Sequence, residues 1–303
     1  MIKQTRNWLL ALCILVFPFV LFFGFLIFME EPLPPVAPLP NPNGYDDLVK
    51  AGQMIKDIVS DYDNASLETL HGIVLTNAEV LSLARSALSN QCGVTLQFSR
   101  AYVTNHLPEL IGFRSLAYAF VCEGKFAEKE NRFNDAAKSY LDAIRLGNKA
   151  GRGGVLMDEM IDIAIESVGV GQLQTIVTNL DAKNSRETAA TLDFLSSQRQ
   201  TWNETLLQED AWSRRSFSGL QGQTLRVYYK LVYYRTRDRN HQRAIDTINS
   251  MQKKENQLLI DLAMWSYELD KGHHPASAAD LVPEYLKAVP QDPATGTNMG
   301  YKP

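Results

Sequence analysis

The feature that most constrains this chain is an uncharged apolar run close to its first residue. The run extends from Trp8 to Met29, WLLALCILVFPFVLFFGFLIFM, and its 22 residues match the roughly 20 that an α-helix needs to cross a bilayer. A helix suits this environment because it satisfies its backbone hydrogen bonds internally, where lipid offers no partners. The sequence therefore predicts a single transmembrane helix at residues 8–29.

Charges on either side of this run predict its orientation. Lys3 and Arg6 precede it, whereas Glu30 and Glu31 follow it. Because basic residues favour the cytoplasmic side, we expect residues 1–7 to form a cytoplasmic tail. The bulk of the chain is then extracytoplasmic, which means periplasmic in a Gram-negative cell. A cleaved signal peptide is the alternative, but its apolar core is shorter and ends in small residues, so we expect an uncleaved signal-anchor.

A proline-rich segment, residues 30–44, links the apolar run to the rest of the chain. Its sequence, EEPLPPVAPLPNPNG, favours the extended polyproline II conformation. We therefore expect a semi-rigid stalk that holds the following domain away from the bilayer. Docking of the segment in an SH3-like groove is the alternative.

The remainder has the composition of a folded domain with a real core. Hydrophobic residues make up 45% of the chain and charged residues 21%. Thirty basic side chains face 34 acidic ones, which gives a net charge of -4. This balance offers no electrostatic reason to expect a nucleic-acid partner.

Residues 45–269 show helical periodicity almost throughout and little of the alternation that strands require. We therefore expect an all-α extracytoplasmic domain, built as an irregular array of helices. Within it, Thr76 is the predicted N-cap of one helix and Gly147 the predicted C-cap of another. The glycine-rich GNKAGRGG that begins at Gly147 is expected to form a loop.

One stretch, residues 116–147, carries small and aromatic residues at the positions where two packed helices approach each other. The residues concerned are Ala127, Phe133, Ala136, Tyr140 and Ala143. This stretch resembles a tetratricopeptide helix pair, although Asn131 replaces the usual glycine. The resemblance implies a tetratricopeptide-like array that presents a binding surface.

The last segment, residues 270–303, is rich in proline and glycine and predicts turns with a short second helix at SAADLVPEYL. Leu281, Tyr285 and Leu286 are expected to cover one open end of the helical array, as the terminal repeats of such arrays require. We therefore predict a turn-rich C-terminal cap.

This tail resembles the C-terminal part of the major pseudopilins of type II secretion systems, and a tail found in uncharacterised membrane-anchored bacterial proteins. The matching positions are Leu269, Gly272, Pro275, Leu281, Val282, Pro283, Tyr285, Leu286, Pro290, Asp292, Pro293, Gly296 and Tyr301. The resemblance covers about the last forty residues, and no family matches the whole chain. The final loop of pseudopilins can hold calcium, so the resemblance makes Asp292 a candidate calcium ligand. Calcium prefers several oxygen ligands, however, and acidic residues are few in this segment.

Three cysteines are present, and Cys13 lies within the predicted membrane helix. Cys92 and Cys122 are expected to face the outside, where an oxidising compartment permits a disulfide. The bond requires a specific Cα separation that a sequence does not give. The sequence therefore leaves open whether the two cysteines pair or are buried separately.

Acidic and histidine residues offer few candidates for chemistry. Asp158, Glu159, Asp162 and Glu166 recur among apolar positions, as on the solvated side of an amphipathic helix. We therefore predict that they are exposed, rather than paired for carboxylate catalysis. His273 and His274 are adjacent in the sequence and therefore lack the spacing of a zinc site. We expect them to form a polar turn.

The stretch RVYYKLVYYRTRDR interleaves aromatic and basic residues. Arg226, Tyr229, Tyr233 and Arg237 form a candidate interaction stripe for a protein or glycan partner. The alternative is that the tyrosines face the core, because apolar residues also recur here at helical spacing.

The sequence contains no catalytic motif, cofactor-binding motif or metal signature. We therefore expect a membrane-anchored, non-enzymatic scaffold for protein–protein interactions in a bacterial envelope, with a protein partner. One alternative is an accessory component of a type II secretion or pilus-like machine. The other is an envelope hydrolase that uses scattered carboxylates or histidines.

Overall fold

The computed structural model describes residues 16–22, 24, 33, 35–232 and 234–300, with backbone alone at 220, 221, 227, 229–232 and 234–238. Of the predicted transmembrane segment 8–29, residues 16–22 and 24 are helical, and the rest lies outside the described residues, as does the predicted tail 1–7. Within the described parts of the chain, no helix is both long enough and apolar enough to cross a bilayer.

The body is built from helices joined by short connections. The α-helices are α1 (Gly44–Met54), α2 (Leu67–Ser89), α3 (Tyr102–Lys129), α4 (Phe133–Ala150), α5 (Leu156–Thr175), α6 (Ala182–Ser197), α7 (Trp202–Ser216), α8 (Gly219–Val232) and α9 (Tyr234–Lys271). Short 3₁₀ turns lie at Val177–Asn179 and Ala278–Leu281. Over the residues described, extended backbone pairs at a single bridge between Gln291 and Asn298. The expectation of an all-α domain is confirmed.

Helix α2 begins earlier than the sequence predicted. The Ser66 hydroxyl accepts a hydrogen bond from the Thr69 amide at 3.1 Å and caps the helix, which then runs straight through Thr76. The predicted N-cap at Thr76 is therefore wrong. Asn77 has a tertiary role instead, because its buried amide group donates to the Lys56 carbonyl at 2.7 Å and accepts from the Lys56 amide at 2.9 Å.

Helices α3 and α4 form an antiparallel pair joined by a three-residue turn, residues 130–132. Asn131 in this turn has φ of 58°, a left-handed conformation that asparagine tolerates better than most residues other than glycine. Of the small and aromatic residues of the predicted pair, Phe133 is partly buried, and the other four are buried between the helices and their neighbours. These four residues are Ala127, Ala136, Tyr140 and Ala143.

Helix α5 lies at the centre of the body, where it packs against α3, α4, α7 and α9. Gly147 is part of this packing, because α4 continues past it to Ala150. A Cβ at position 147 would lie 2.6 Å from the Asp162 carbonyl oxygen of α5. The predicted C-cap at Gly147 is therefore wrong, since the glycine allows two helices to approach closely.

The C-terminal segment packs onto the same core. Leu281 is fully buried, and Tyr285 and Leu286 are nearly so. They belong to the large apolar cluster that also contains buried residues of α1 to α6 and α9. The Tyr285 ring lies 5.5 Å from the ring of Tyr267 on α9.

Candidate functional site

A two-lobed cleft opens between the stalk and the loop that connects α4 to α5. The larger lobe has a volume of about 530 Å³ and the smaller lobe about 360 Å³. Both are lined by Arg152, Gly153, Gln198 and Gln208, so the two lobes adjoin each other. Each lobe falls within the ~300–1,000 Å³ range of binding clefts in proteins.

The end of the stalk forms one wall of the larger lobe, together with the extended segment 91–96. Asn43 links the end of the stalk to segment 91–96. Its side chain donates to the Gly93 carbonyl and accepts from the Gly93 amide, each at 2.9 Å. Gly93 also lies against Pro40, where a Cβ would come within 3.0 Å of the proline ring. The stalk is therefore attached to the body at this wall.

Helix α4 and its following loop hold the extended segment from the other side. The Val94 amide donates to the Arg152 carbonyl at 2.9 Å. Lys149 donates to the carbonyls of Leu88 at 2.6 Å and Asn90 at 3.0 Å, at the C-terminal end of α2. Burial lowers the pKa of Lys149. These contacts hold segment 91–96 in place and thereby fix the shape of the cleft.

The lining combines apolar surface with neutral amides and one exposed cation. Phe194 is 60% exposed although it is a large aromatic residue, and Leu39 of the stalk faces the same lobe. Arg152 is exposed and borders both lobes. Glu204 borders the smaller lobe, but its carboxylate caps α7, and hydrogen bonds from Thr201 lower its pKa. The cleft therefore offers hydrogen bonds, apolar contact and positive charge.

A row of acidic residues lies buried beside this cleft, on α5. Asp158, Glu159, Asp162 and Glu166 are all buried. The prediction that these residues face solvent is wrong. Because α5 is covered by other helices on several sides, its polar face packs against further polar groups and not against water.

At one end of this row, His106 bridges two carboxylates. Its Nε2 lies 2.5 Å from Asp158 Oδ1, and its Nδ1 lies 3.0 Å from Glu109 Oε2. Tyr45 also donates to Glu109, and the Tyr102 ring stacks on the imidazole at 4.8 Å. Burial opposes the charged form of His106, but the hydrogen bonds and charges of Asp158 and Glu109 outweigh it and raise its pKa.

At the other end, Arg199 joins α5 to α9. One guanidinium nitrogen lies 2.7 Å from Glu166 and 2.8 Å from Glu255. Burial raises the pKa of Glu166, Glu255, Glu159 and Asp162. Asp162 accepts a hydrogen bond from the Gly151 amide at 2.9 Å, and the neighbouring acids raise its pKa further.

The geometry of this acidic row limits what it can do. The cavity that Glu159, Asp162 and Glu166 share with Arg199 has a volume of about 10 Å³. That space accommodates about one water molecule and not a substrate. Among the described residues, no group of three or more His, Cys, Asp or Glu side chains is arranged to hold a metal ion. The row therefore acts as an internal polar connection between helices, and burial disfavours the anionic form of Glu159, Asp162 and Glu166.

Asp292 and the described part of the candidate interaction stripe do not line the cleft, whereas Cys92 lines its larger lobe. Of the candidate interaction stripe, Arg226 has a buried side chain, and the side chains of Tyr229, Tyr233 and Arg237 lie outside the described residues.

The Asp292 carboxylate accepts hydrogen bonds from the Lys253 ammonium of α9 at 2.7 Å and from the Ala294 amide at 2.9 Å. The carboxylate of Asp292 thus ties the tail to α9.

Cys92 and Cys122 are free thiols. Cys92 belongs to the large core cluster, whereas Cys122 packs in a smaller cluster with Leu70 and Ile73. Burial raises the pKa of both thiols to about 11. The disulfide that the sequence left open is therefore not formed in this structure.

No family model, curated protein or solved structure matches this chain. The sequence patterns also did not point to the cleft, which is assembled from the stalk, segment 91–96 and the ends of α4 and α6. Only the second half of the predicted GNKAGRGG loop, from Gly151 onward, is a loop, because residues 147–150 belong to α4. Arg152 in this half was the one visible signal of the cleft, through the exposure that loops generally have.

Proposed function

We propose that this chain is a membrane-anchored helical scaffold whose two-lobed cleft binds an extended segment of a protein partner. The observation that carries the proposal is the cleft itself, held open by hydrogen bonds on both of its walls. Preorganisation of this kind favours binding, because less conformational entropy is lost when the partner docks.

The lining indicates what kind of segment would fit. Leu39 and Phe194 offer apolar contact for a hydrophobic side chain of the partner. Arg152, which borders both lobes, offers a bidentate contact to a carboxylate. The partner segment is therefore an extended peptide with an apolar residue followed or preceded by an acidic one.

The proposed anchor is the apolar run from Trp8 to Met29, with the body on the extracytoplasmic side. Residues 36–40 of the stalk line the cleft, so the partner would bind next to the point at which the chain leaves the membrane. Such a position suits a scaffold that gathers another envelope protein at the bilayer.

The other candidate roles have less support. An accessory role in a type II secretion or pilus-like machine rests on the resemblance of the tail. A hydrolase would need a substrate-sized space beside its carboxylates, and the cavity at the acidic row measures about 10 Å³. A tetratricopeptide-like arrangement of α3 and α4 would be consistent with the scaffold proposal.

Site-specific photo-cross-linking in native membranes tests the proposal. A photoreactive residue replaces Gln198, which lines both lobes, and in a control it replaces the exposed Leu75 on α2. We expect one discrete protein adduct from position 198 and none from position 75. In the same background, Arg152→Glu should abolish the adduct, whereas Arg243→Glu, at an exposed position on α9, should not.

Equal adducts from positions 198 and 75 would contradict the proposal. So would the absence of an adduct at position 198, or an adduct that Arg152→Glu leaves unchanged.

A further inference from the structure

The N-terminal half of α3 exposes an apolar stripe to solvent. Val103, Leu107 and Ile111 are 47%, 48% and 53% exposed. Their spacing of four residues places them on one side of the helix, one above the other. Ala101 and Pro108 are exposed beside them. We call this surface, formed by the five residues named, the α3 face.

The α3 face departs from the usual amphipathic pattern. The opposite side of the same helix already packs into the core through Tyr102, Leu110 and Phe113. A helix of this kind ordinarily turns charged and polar residues toward water on its other side. An apolar outer side in addition to an apolar inner side indicates that a second surface covers it.

The charge around the α3 face is positive. Arg100 and Arg114 are exposed at its two ends, and both lie over aromatic rings at less than 6 Å. The acid between them, Glu109, turns inward to Tyr45 and His106. The neighbouring helix α1 exposes both Asp46 and Lys50, so the positive charge comes from Arg100, which precedes α3, and from Arg114 on α3.

The position of the face relative to the stalk limits what can cover it. Helix α1 starts at Gly44, where the stalk ends, and crosses α3 so closely that a Cβ on Gly52 would lie 3.0 Å from Gly112. Because residues 36–40 and Asn43 already lie against the body, the connection is residues 30–35, which span at most about 19 Å as polyproline II. A domain held by so short a connection stays within reach of the bilayer surface.

We propose that the α3 face docks on the lipid surface of the membrane that holds the anchor. Its apolar residues enter the boundary between headgroups and acyl chains, and Arg100 and Arg114 pair with anionic headgroups. Docking fixes the orientation of the body, and hence the direction in which the cleft opens. This inference rests on the membrane anchor of the proposed function, but not on the cleft.

The test uses the full-length chain in vesicles that contain anionic lipid and lipid brominated on its acyl chains. An environment-sensitive fluorophore is attached to Thr104→Cys, next to the stripe, and in the control to Glu187→Cys on α6, both in a Cys13→Ala background. The native Cys92 and Cys122 are buried and do not compete for the label. We expect the brominated lipid to quench the fluorophore at position 104 and leave position 187 unchanged.

The double variant Leu107→Glu and Ile111→Glu should float with the vesicles as the parent chain does, and lose the quenching at position 104. Quenching that survives this variant, or that is absent from a parent chain that floats, would overturn the docking. Cross-linking of position 104 between two copies, without quenching, would assign the face to a second copy and also overturn it.

Failure of the parent chain to float would contradict the anchor instead. In that case the labelled chain is mixed with the same vesicles in solution. Quenching at position 104 would then uphold the docking, and its absence would overturn it.

Discussion

At the scale of single residues, the glycines of this chain have different roles that depend on their neighbours. Gly147 of α4 faces the backbone of α5, whereas Gly72 of α2 faces open space. The same substitution should therefore have opposite effects at these two positions.

We expect Gly147→Ala to destabilise the fold by about 1–3 kcal/mol, because the added methyl group overpacks the contact between α4 and α5. Gly72→Ala should stabilise it by about 0.5–1 kcal/mol, because alanine is the better helix former. Denaturant unfolding of the two variants measures both changes. A Gly147→Ala variant as stable as the parent would contradict the close approach of the two helices.

The buried carboxyls make stability depend on pH. Their pKa values are raised by burial in the folded state, so the folded chain holds protons that the unfolded chain releases as the pH rises above their ordinary pKa values. The raised pKa of His106 acts in the same direction, because its stabilising contribution is lost as the pH rises through its folded value. Stability should therefore fall from mildly acidic to mildly alkaline pH.

We expect the melting temperature to be higher near pH 5.5 than near pH 8, since each retained proton contributes a slope of about 1.4 kcal/mol per pH unit. Asp162→Asn keeps the acceptor for the Gly151 amide but carries no charge, so it should reduce the slope and stabilise the fold near pH 8. The exposed Asp61→Asn is the control and should leave the slope unchanged. A melting temperature that increases with pH over this range would refute the assignment.

At the scale of elements, the tail illustrates how a segment without regular structure contributes to the core. Leu281→Ala should destabilise the fold by about 2–5 kcal/mol, because it removes a fully buried side chain. Leu207→Ala, at an exposed position on α7, should change the stability by less than about 0.5 kcal/mol. Thermal unfolding compares the two variants. If the tail only lay on the surface, the two substitutions would change the stability by the same small amount.

Deletion of residues 273–303 should lower the melting temperature more than Leu281→Ala does.

Helix content was predictable from the sequence because hydrophobic periodicity is a local property. The ends of the helices were less predictable from the sequence. The cap at Ser66 is a local contact with Thr69, but the passage of α2 through Thr76 is accompanied by a tertiary contact, because the Asn77 side chain bonds to the distant Lys56. Similarly, Gly147 resembles a C-cap in isolation, and its packing role depends on α5, which follows later in the chain.

The candidate site was less predictable for the same physical reason. The acids of α5 follow an amphipathic pattern, and whether that polar side meets water or other helices depends on packing that the pattern does not contain. The cleft depends on contacts such as that of Asn43 with Gly93, fifty residues apart. No local motif marks residues that are joined over such distances.

At the scale of the whole molecule, the two buried thiols report on the integrity of the body. We expect Cys92 and Cys122 to remain unlabelled by a thiol reagent in the native chain and to be labelled together on unfolding, because burial raises their pKa values and excludes the reagent. Mass spectrometry of the labelled peptides separates them from Cys13. Isolation of a disulfide-linked peptide pair from native membranes would contradict the free thiols.

The central claim is that the cleft is where this molecule meets its partner. Hydrogen exchange of the full-length chain, free and in complex with the protein captured from position 198, tests that claim most directly. The account predicts increased protection in residues 91–96 and 197–201, which line the two lobes, with little change in α2. Protection confined to other helices, with those segments unchanged, would contradict it.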